Sequence, residues 1–359
     1  MVKQTVKSLK PYVPEKTLSA LKKERGLMKL VRLSANENAW GTSPKVAQAI
    51  MDWGVSGANR YPDSDVSSLR TAVAKGLGVL PESLVFGDGL DEIIELLSRT
   101  LLSAGDEVIL TKPTFSEYAL HAEIEGAKLV DVPVDEQGAT DLKQMAAAVT
   151  PKTAMIWLCN PNNPTGAYLT SQAIEALLAK IPTSVYLVVD EAYIDFVTEE
   201  ASPSVVDLVA KYSNLVVLRT FSKVYGLANF RVGFAVVSTE LASILQTVRL
   251  PYNLSTFAEI AATAAYSDQA FVKDIVKKVA VERNKWQEFL TEMKIRFYPS
   301  QANFLFININ NASELSDYLL NQGYLIRTGL GQNWLRITIG KPSDNKAVQD
   351  FIRKFIKQD

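Results

Sequence analysis

Seven short runs rich in β-branched and aliphatic residues, at 84–86, 107–110, 128–132, 154–158, 186–189, 215–218 and 233–237, alternate with stretches of helical periodicity. This alternation constrains the fold more than any other feature. Strands separated by helix-length segments need crossover connections, and those build a mostly parallel sheet covered by helices on both faces. The stretch 90–102 shows the helical half of the pattern, with Leu90, Ile93, Ile94, Leu97 and Leu101 keeping the 3.6-residue period. The predicted class is α/β. A long amphipathic stretch over 271–293 then reads as a connecting helix, and beyond it the pattern changes. Strands at 303–309, 324–327 and 334–339, with helices near 314–321 and 344–356, predict a smaller C-terminal α+β domain.

The expected organisation is a segment 1–40 that either joins the small domain or covers the site, a large domain over 41–270, and a small domain over 271–359. A chain of 359 residues can bury one large core with a satellite. No repeat or low-complexity linker divides it, so the two domains are expected to pack closely. The first 40 residues show little regular pattern.

Composition removes several function classes. Against 39 acidic residues stand 38 basic ones, so there is no global charge to attract nucleic acid or an anionic membrane. One cysteine, Cys159, and one histidine, His121, rule out an intrachain disulfide and leave no Cys/His set for a metal. The first ten residues build no apolar leader core, and no run of about 18 apolar residues occurs. A soluble, cytoplasmic protein acting on small molecules is the expectation.

Four points in the large domain can carry chemistry. Gly87-Asp88-Gly89-Leu90-Asp91-Glu92 follows a strand and opens a helix, where glycines let the backbone approach an anion and the helix dipole favours phosphate. An ordinary strand-to-helix turn has the same composition, and Glu92 breaks the dinucleotide pattern by standing where its third glycine belongs. Asn160-Pro161-Asn162-Asn163-Pro164-Thr165-Gly166 follows the run ending at Leu158, and by composition alone it is a turn. Asp190-Glu191-Ala192-Tyr193 closes a very apolar run. A carboxylate at the carboxyl end of a buried strand lies where open α/β sheets bind ligands, although a lone aspartate there can also cap a helix. Arg219-Thr220-Phe221-Ser222-Lys223 closes the next run, 33 residues after Asp190, with Arg231 eight residues further on. Most lysines are solvated surface charges, but Lys223 and Asp190 would project toward one sheet edge and could bracket a flat cofactor. An amine partly desolvated near cationic groups has a lowered pKa, which favours Schiff-base formation.

These four segments, in this order, resemble the fold-type I pyridoxal-phosphate enzymes. The likeness extends from about Leu9 to Gly340 and is closest to the histidinol-phosphate aminotransferases. It is carried by Leu9-Lys10-Pro11-Tyr12, Leu33-Ser34-Ala35-Asn36-Glu37-Asn38, Asn59-Arg60-Tyr61-Pro62-Asp63, Pro113-Thr114-Phe115-Ser116-Glu117-Tyr118 and Leu335-Arg336-Ile337-Thr338-Ile339-Gly340. The resemblance implies a large domain with a seven-stranded, mostly parallel sheet, and pyridoxal 5'-phosphate held by Lys223 as a Schiff base. It implies that Asp190 pairs with the pyridine nitrogen, that Asn163 and Tyr193 donate to the phenolic oxygen, and that Tyr118 stacks on the ring. The phosphate would be held by Gly89, Leu90, Asp91, Ser222 and Arg231, and by Tyr61 from the other subunit of a homodimer.

Tyr12, Asn36, Arg327 and Arg336 would receive the substrates, histidinol phosphate in one half-reaction and glutamate or 2-oxoglutarate in the other. Two guanidinium forks accept either a planar carboxylate or a tetrahedral phosphate without a change of charge. Departures from the family pattern cluster around the substrate: Ser34 opens the Asn-Glu-Asn string, Trp40 replaces a smaller residue or tyrosine, and Thr328 replaces the proline after Arg327. Two readings on the same fold therefore stand beside this one, an aromatic amino-acid aminotransferase and a decarboxylase of phosphorylated amino acids. A silent binding protein of this fold would be expected to lose the lysine, and Lys223 is present.

Overall fold

The computed structural model describes residues 2, 4–7, 9 and 16–357. In chain order its strands are β1 (Val31–Leu33), β2 (Leu84–Asp88), β3 (Glu107–Lys112), β4 (Lys128–Pro133), β5 (Thr153–Cys159), β6 (Tyr186–Asp190), β7 (Leu215–Thr220), β8 (Val232–Val236), β9 (Arg296–Phe297), β10 (Phe304–Asn308), β11 (Tyr324–Ile326) and β12 (Trp334–Thr338). The seven runs expected from the sequence form one sheet of order β2-β8-β7-β6-β5-β3-β4. Every pairing in it is parallel except those of β8, which runs against both β2 and β7. The reason is local. Only eleven residues separate Thr220 from Val232, with one 3-10 turn at Ala228–Phe230. A parallel return needs a crossover of a dozen or more residues.

That reversal sets the geometry of the site. Because β2 and β7 point the same way, the carboxyl ends of β2, β3, β5, β6 and β7 share one edge, and the β7–β8 connection carrying Lys223 and Arg231 turns over that edge. The strands beneath are buried on both faces, with Leu187, Val188, Val189, Val216 and Val217 inaccessible to solvent. Each such side chain contributes roughly 1.5–3 kcal/mol by leaving water, so the strand ends form a firm floor.

The C-terminal part builds a three-stranded antiparallel sheet of order β12-β10-β9. A 24-residue helix, Gln269–Glu292, leads into it, its first turn capped by the Asp268 carboxylate, which also accepts from Ser43. Arg283 on this helix is buried and donates to the carbonyls of Phe196 and Ala302, tying the segment after β6 to the approach to β10. Besides a four-residue helix at Gln4–Lys7, two elements fall where little regular pattern was expected. A helix at Leu18–Glu24, capped by Thr17, buries none of its residues and so has no apolar period to detect. β1 spans three residues and pairs in parallel with β11, Val31 opposite Tyr324, so this part of the N-terminal segment joins a C-terminal strand.

Candidate active site

Two contiguous cavities open at the sheet edge, of about 320 and 660 Å³, large enough together for a cofactor and a substrate. The inner one is lined by residues from the ends of β5, β6 and β7 and from the helix Gly89–Leu101. The outer one adds Arg32, Ser34 and Asn36 from the N-terminal segment and Arg327, Leu330 and Arg336 from the C-terminal one. Lys223, Asn163, Tyr193, Phe115 and Arg231 line both.

Asp190 ends β6 on the floor, 4% exposed. Its carboxylate accepts from the Ala192 amide at 2.9 Å and from the Tyr118 hydroxyl at 2.5 Å. Burial nevertheless pushes its pKa up, and among the described residues no cationic side chain pairs with it. A buried carboxylate so placed calls for a cation from a ligand, and a protonated ring nitrogen meets that demand. Lys223 has the opposite character. Burial, with the Arg336 charge nearby, lowers its amine to about 8, and Nζ rests at 3.4 Å from the Ala35 carbonyl and 5.5 Å from the centre of the Tyr193 ring. The residues present thus fit pyridoxal phosphate: an amine near neutrality and an unpaired carboxylate flank one cavity.

The phosphate side is equally specific. Gly89 has φ 73, and a Cβ there would lie 2.3 Å from Arg231 Nη2, so only glycine admits the guanidinium against the helix start. Arg231, itself left-handed at φ 53, pairs with Asp91 at 3.0 Å, while its carbonyl accepts from the Gly89 amide. Leu90, Asp91 and Ser222 line the same wall.

Tyr118 lines the inner cavity, where packing holds it tightly. It is wholly buried, one ring face stacked on Trp157 at 4.5 Å and 7°, with its hydroxyl spent on Asp190. Phe115, edge-on to Tyr118 at 5.5 Å, is with Tyr193 an aromatic that meets both cavities. Sequence reasoning passed over Phe115 although it stands in the 113–118 string, at the strand-to-helix turn just before Ser116–Ile124.

Arg327 and Arg336 pair backbone to backbone across an antiparallel bridge, at 3.1 and 3.0 Å, which puts both side chains on one face. Arg336, 9% exposed, donates to Asn163 Oδ1 and to the Ser34 carbonyl, each at 2.6 Å, and packs over the Phe304 ring. Asn36 lines the outer cavity, and its amide donates to the Tyr193 hydroxyl at 3.1 Å. Arg32, not expected from the sequence, also reaches this cavity and pairs with Glu37 at 3.4 Å. Tyr61 lies away from the cavities of its own chain, 82% exposed and stacked on Tyr252. Tyr12 lies outside the described residues.

The family model for class I and II aminotransferases matches residues 28–352, and the chain belongs to that family. Histidinol-phosphate aminotransferase of Lactiplantibacillus plantarum is 51% identical over 354 residues, 99% of each chain, and that of Limosilactobacillus fermentum is 46% identical over 359 residues, again 99% of each. Relatives this similar over their whole length make the chain a member of the histidinol-phosphate aminotransferases within that class. Among solved structures, histidinol-phosphate aminotransferase from Sinorhizobium meliloti, in complex with pyridoxal-5'-phosphate, superposes with a TM-score of 0.89 at 26% identity, covering 99% of this chain and 98% of that one.

Proposed function

We propose that the enzyme moves an amino group between L-histidinol phosphate and 2-oxoglutarate, giving imidazole acetol phosphate and glutamate, a step of histidine biosynthesis, with pyridoxal 5'-phosphate bound at Lys223. The observation that carries this reading is the Arg327–Arg336 pair, set side by side on the wall facing Lys223. One substrate brings a phosphate and no carboxylate, the other two carboxylates, and a pair of forked guanidiniums seats both in turn. The L. plantarum relative, by its name, is an enzyme for the first of these.

In this reading Asp190 holds the ring nitrogen protonated, Asn163 and Tyr193 donate to the phenolic oxygen, and Phe115 covers the ring. Backbone amides of Leu90 and Asp91, with Ser222 and Arg231, hold the phosphate beside Gly89, whose own amide stays on the Arg231 carbonyl. When bound, the cofactor supplies an electron sink for the substrate carbon that loses its proton. Lys223 Nζ, an amine near neutrality, takes that proton and returns it. Arg336 gives up its bonds to Asn163 and the Ser34 carbonyl to meet a carboxylate.

The same reading makes the active unit a homodimer in which Tyr61 reaches the partner's site. Tyr61 and Tyr252 form an exposed aromatic pair, and Met51, Val55 and Leu250 are other exposed apolar residues of the large domain. A native mass of one chain would overturn that assembly.

The test is steady-state turnover with histidinol phosphate and with phenylalanine, each against 2-oxoglutarate. A kcat/KM for histidinol phosphate at least about tenfold higher is expected, since phenylalanine cannot use a phosphate-seating arginine. Equal values would favour the broad aromatic reading instead.

A further inference from the structure

Asn36 stands at a junction that a substrate ligand does not require. Its backbone N–H donates to Thr338 Oγ1 at 3.0 Å, and its carbonyl accepts from Asn303 Nδ2 at 3.1 Å. The Thr338 hydroxyl lies 3.1 Å from Asn36 Oδ1, while Asn36 Nδ2 faces the Tyr193 hydroxyl. All four residues are buried, and Asn36 is held at φ 56, in the left-handed region that asparagine tolerates.

Donor and acceptor accounting fixes the direction of every proton in this chain. Asn36 Oδ1 can only accept, so the Thr338 hydroxyl donates to it, while Thr338 Oγ1 accepts from the Asn36 backbone N–H. The amide then presents Nδ2, a donor only, to Tyr193. Tyr193 must accept there, and its hydrogen is turned away from Asn36. The ring is held edge-on against Phe304 at 5.0 Å and 83°, which fixes where the hydroxyl oxygen sits. The charged and titratable groups around this side chain are Arg336, Cys159 and Asp190, with Lys223 Nζ over its ring at 5.5 Å.

We propose that Thr338 and Asn36 are positioning residues that lock Tyr193 as a donor into the cofactor cavity, linking the C-terminal sheet to the phenolic oxygen of the bound cofactor. The inference rests on the proposed cofactor and extends it: Asn36 acts through Tyr193, where the sequence resemblance made it a substrate ligand. A hydrogen bond donated to the phenolic oxygen favours the form in which the nitrogen joining Lys223 to the cofactor has lost its proton. The lock therefore lowers the pH at which that linkage titrates.

The experiment is a spectrophotometric pH titration of the cofactor-loaded wild type and variants without substrate. Asn36→Asp keeps the side-chain size but presents only acceptors, which draws the Tyr193 hydrogen toward residue 36. The midpoint is expected to rise by roughly 0.5–1 unit. Thr338→Val removes the group that orients the amide and is expected to raise the midpoint by less, with Thr338→Ser restoring it. A purely structural role would lower thermal stability and leave the midpoint alone. Wild-type midpoints in both Asn36→Asp and Thr338→Val overturn the proposal, and if Asn36→Asp does not load cofactor, the Thr338 pair decides it. Failure of the underlying reading looks different: the wild type itself would then show no titrating chromophore and no adduct at Lys223 after borohydride.

Discussion

The inner and outer halves of the cleft are built by opposite means. The inner half takes its side chains from the ends of adjacent strands, so Asp190 and Lys223 inherit their positions from a sheet whose central strands are sealed from water. The outer half joins chain segments about 300 residues apart: Ser34 and Asn36 meet Arg336 and Thr338 through individual hydrogen bonds. Its supporting pair, β1 and β11, is three residues long, and the nearby residues Thr328 and Gly329 are exposed. Burial holds the inner half in place, whereas the outer half is held by a few polar contacts, which the proposed substrate binding would exchange. In Arg336 the two meet, since its resting partners are Asn163 of the inner half and Ser34 of the outer.

The largest effect is expected from the inner half. Lys223→Ala removes the amine that would bind the cofactor and move the proton, and turnover is expected to fall by roughly 10²–10⁴-fold or more while the fold persists. Borohydride reduction followed by mass measurement checks the linkage. A covalent cofactor adduct in the variant would show that another amine does this work.

Changes in the outer half are expected to be smaller and to depend on the substrate. Each arginine offers charge-assisted hydrogen bonds worth about 1.5–3 kcal/mol, so Arg336→Gln should lower kcat/KM by roughly 10–100-fold in both half-reactions. Arg327→Gln should weaken the histidinol-phosphate half more than the glutamate half. Single-turnover rates with each substrate separate the two. A loss confined to glutamate in the Arg327 variant would reverse their roles, and an equal loss everywhere would erase the distinction between the halves.

The same contrast decides what was legible in the sequence. Strand-end motifs are local, so the family resemblance could assign the inner-half residues Asp190, Lys223, Asn163 and Arg231 from short strings, and the fold gathers them round one cavity. The parallel sheet was legible too, because double burial writes continuous apolar runs into the chain. Tyr118 and Phe115 were harder. They lie three residues apart at one turn, and only packing shows that Trp157 takes one face of the first, which lines the inner cavity alone, while the second meets both cavities. Thr338 stood out only as part of the 335–340 string, since its partner lies 302 residues away. Nothing in the periodicity announces such a pair. The short β1 was missed because three residues cannot display a period.

The smallest expected effect tests whether the two halves are electrically joined. Burial is the first cause of the low Lys223 pKa of about 8, and the Arg336 charge is the second. Only the neutral amine can attack the cofactor, so the rate at which cofactor-free enzyme captures it should rise with pH through that value. Replacing Arg336 with glutamine removes a positive charge that penalises protonated Lys223, so the protonated form gains and the midpoint moves up. Burial remains, which keeps the shift partial and the midpoint below the ordinary lysine value of 10.5. Arg327 is not among the causes acting on Lys223, so Arg327→Gln should leave the midpoint in place. Stopped-flow absorbance across a pH series reads all three proteins. An unmoved midpoint in Arg336→Gln would mean that burial alone sets the amine and that the halves communicate only through hydrogen bonds. A shift of equal size in both variants would point to diffuse charge in the outer cavity, and would remove Arg336 from its place as the residue shared by the two halves.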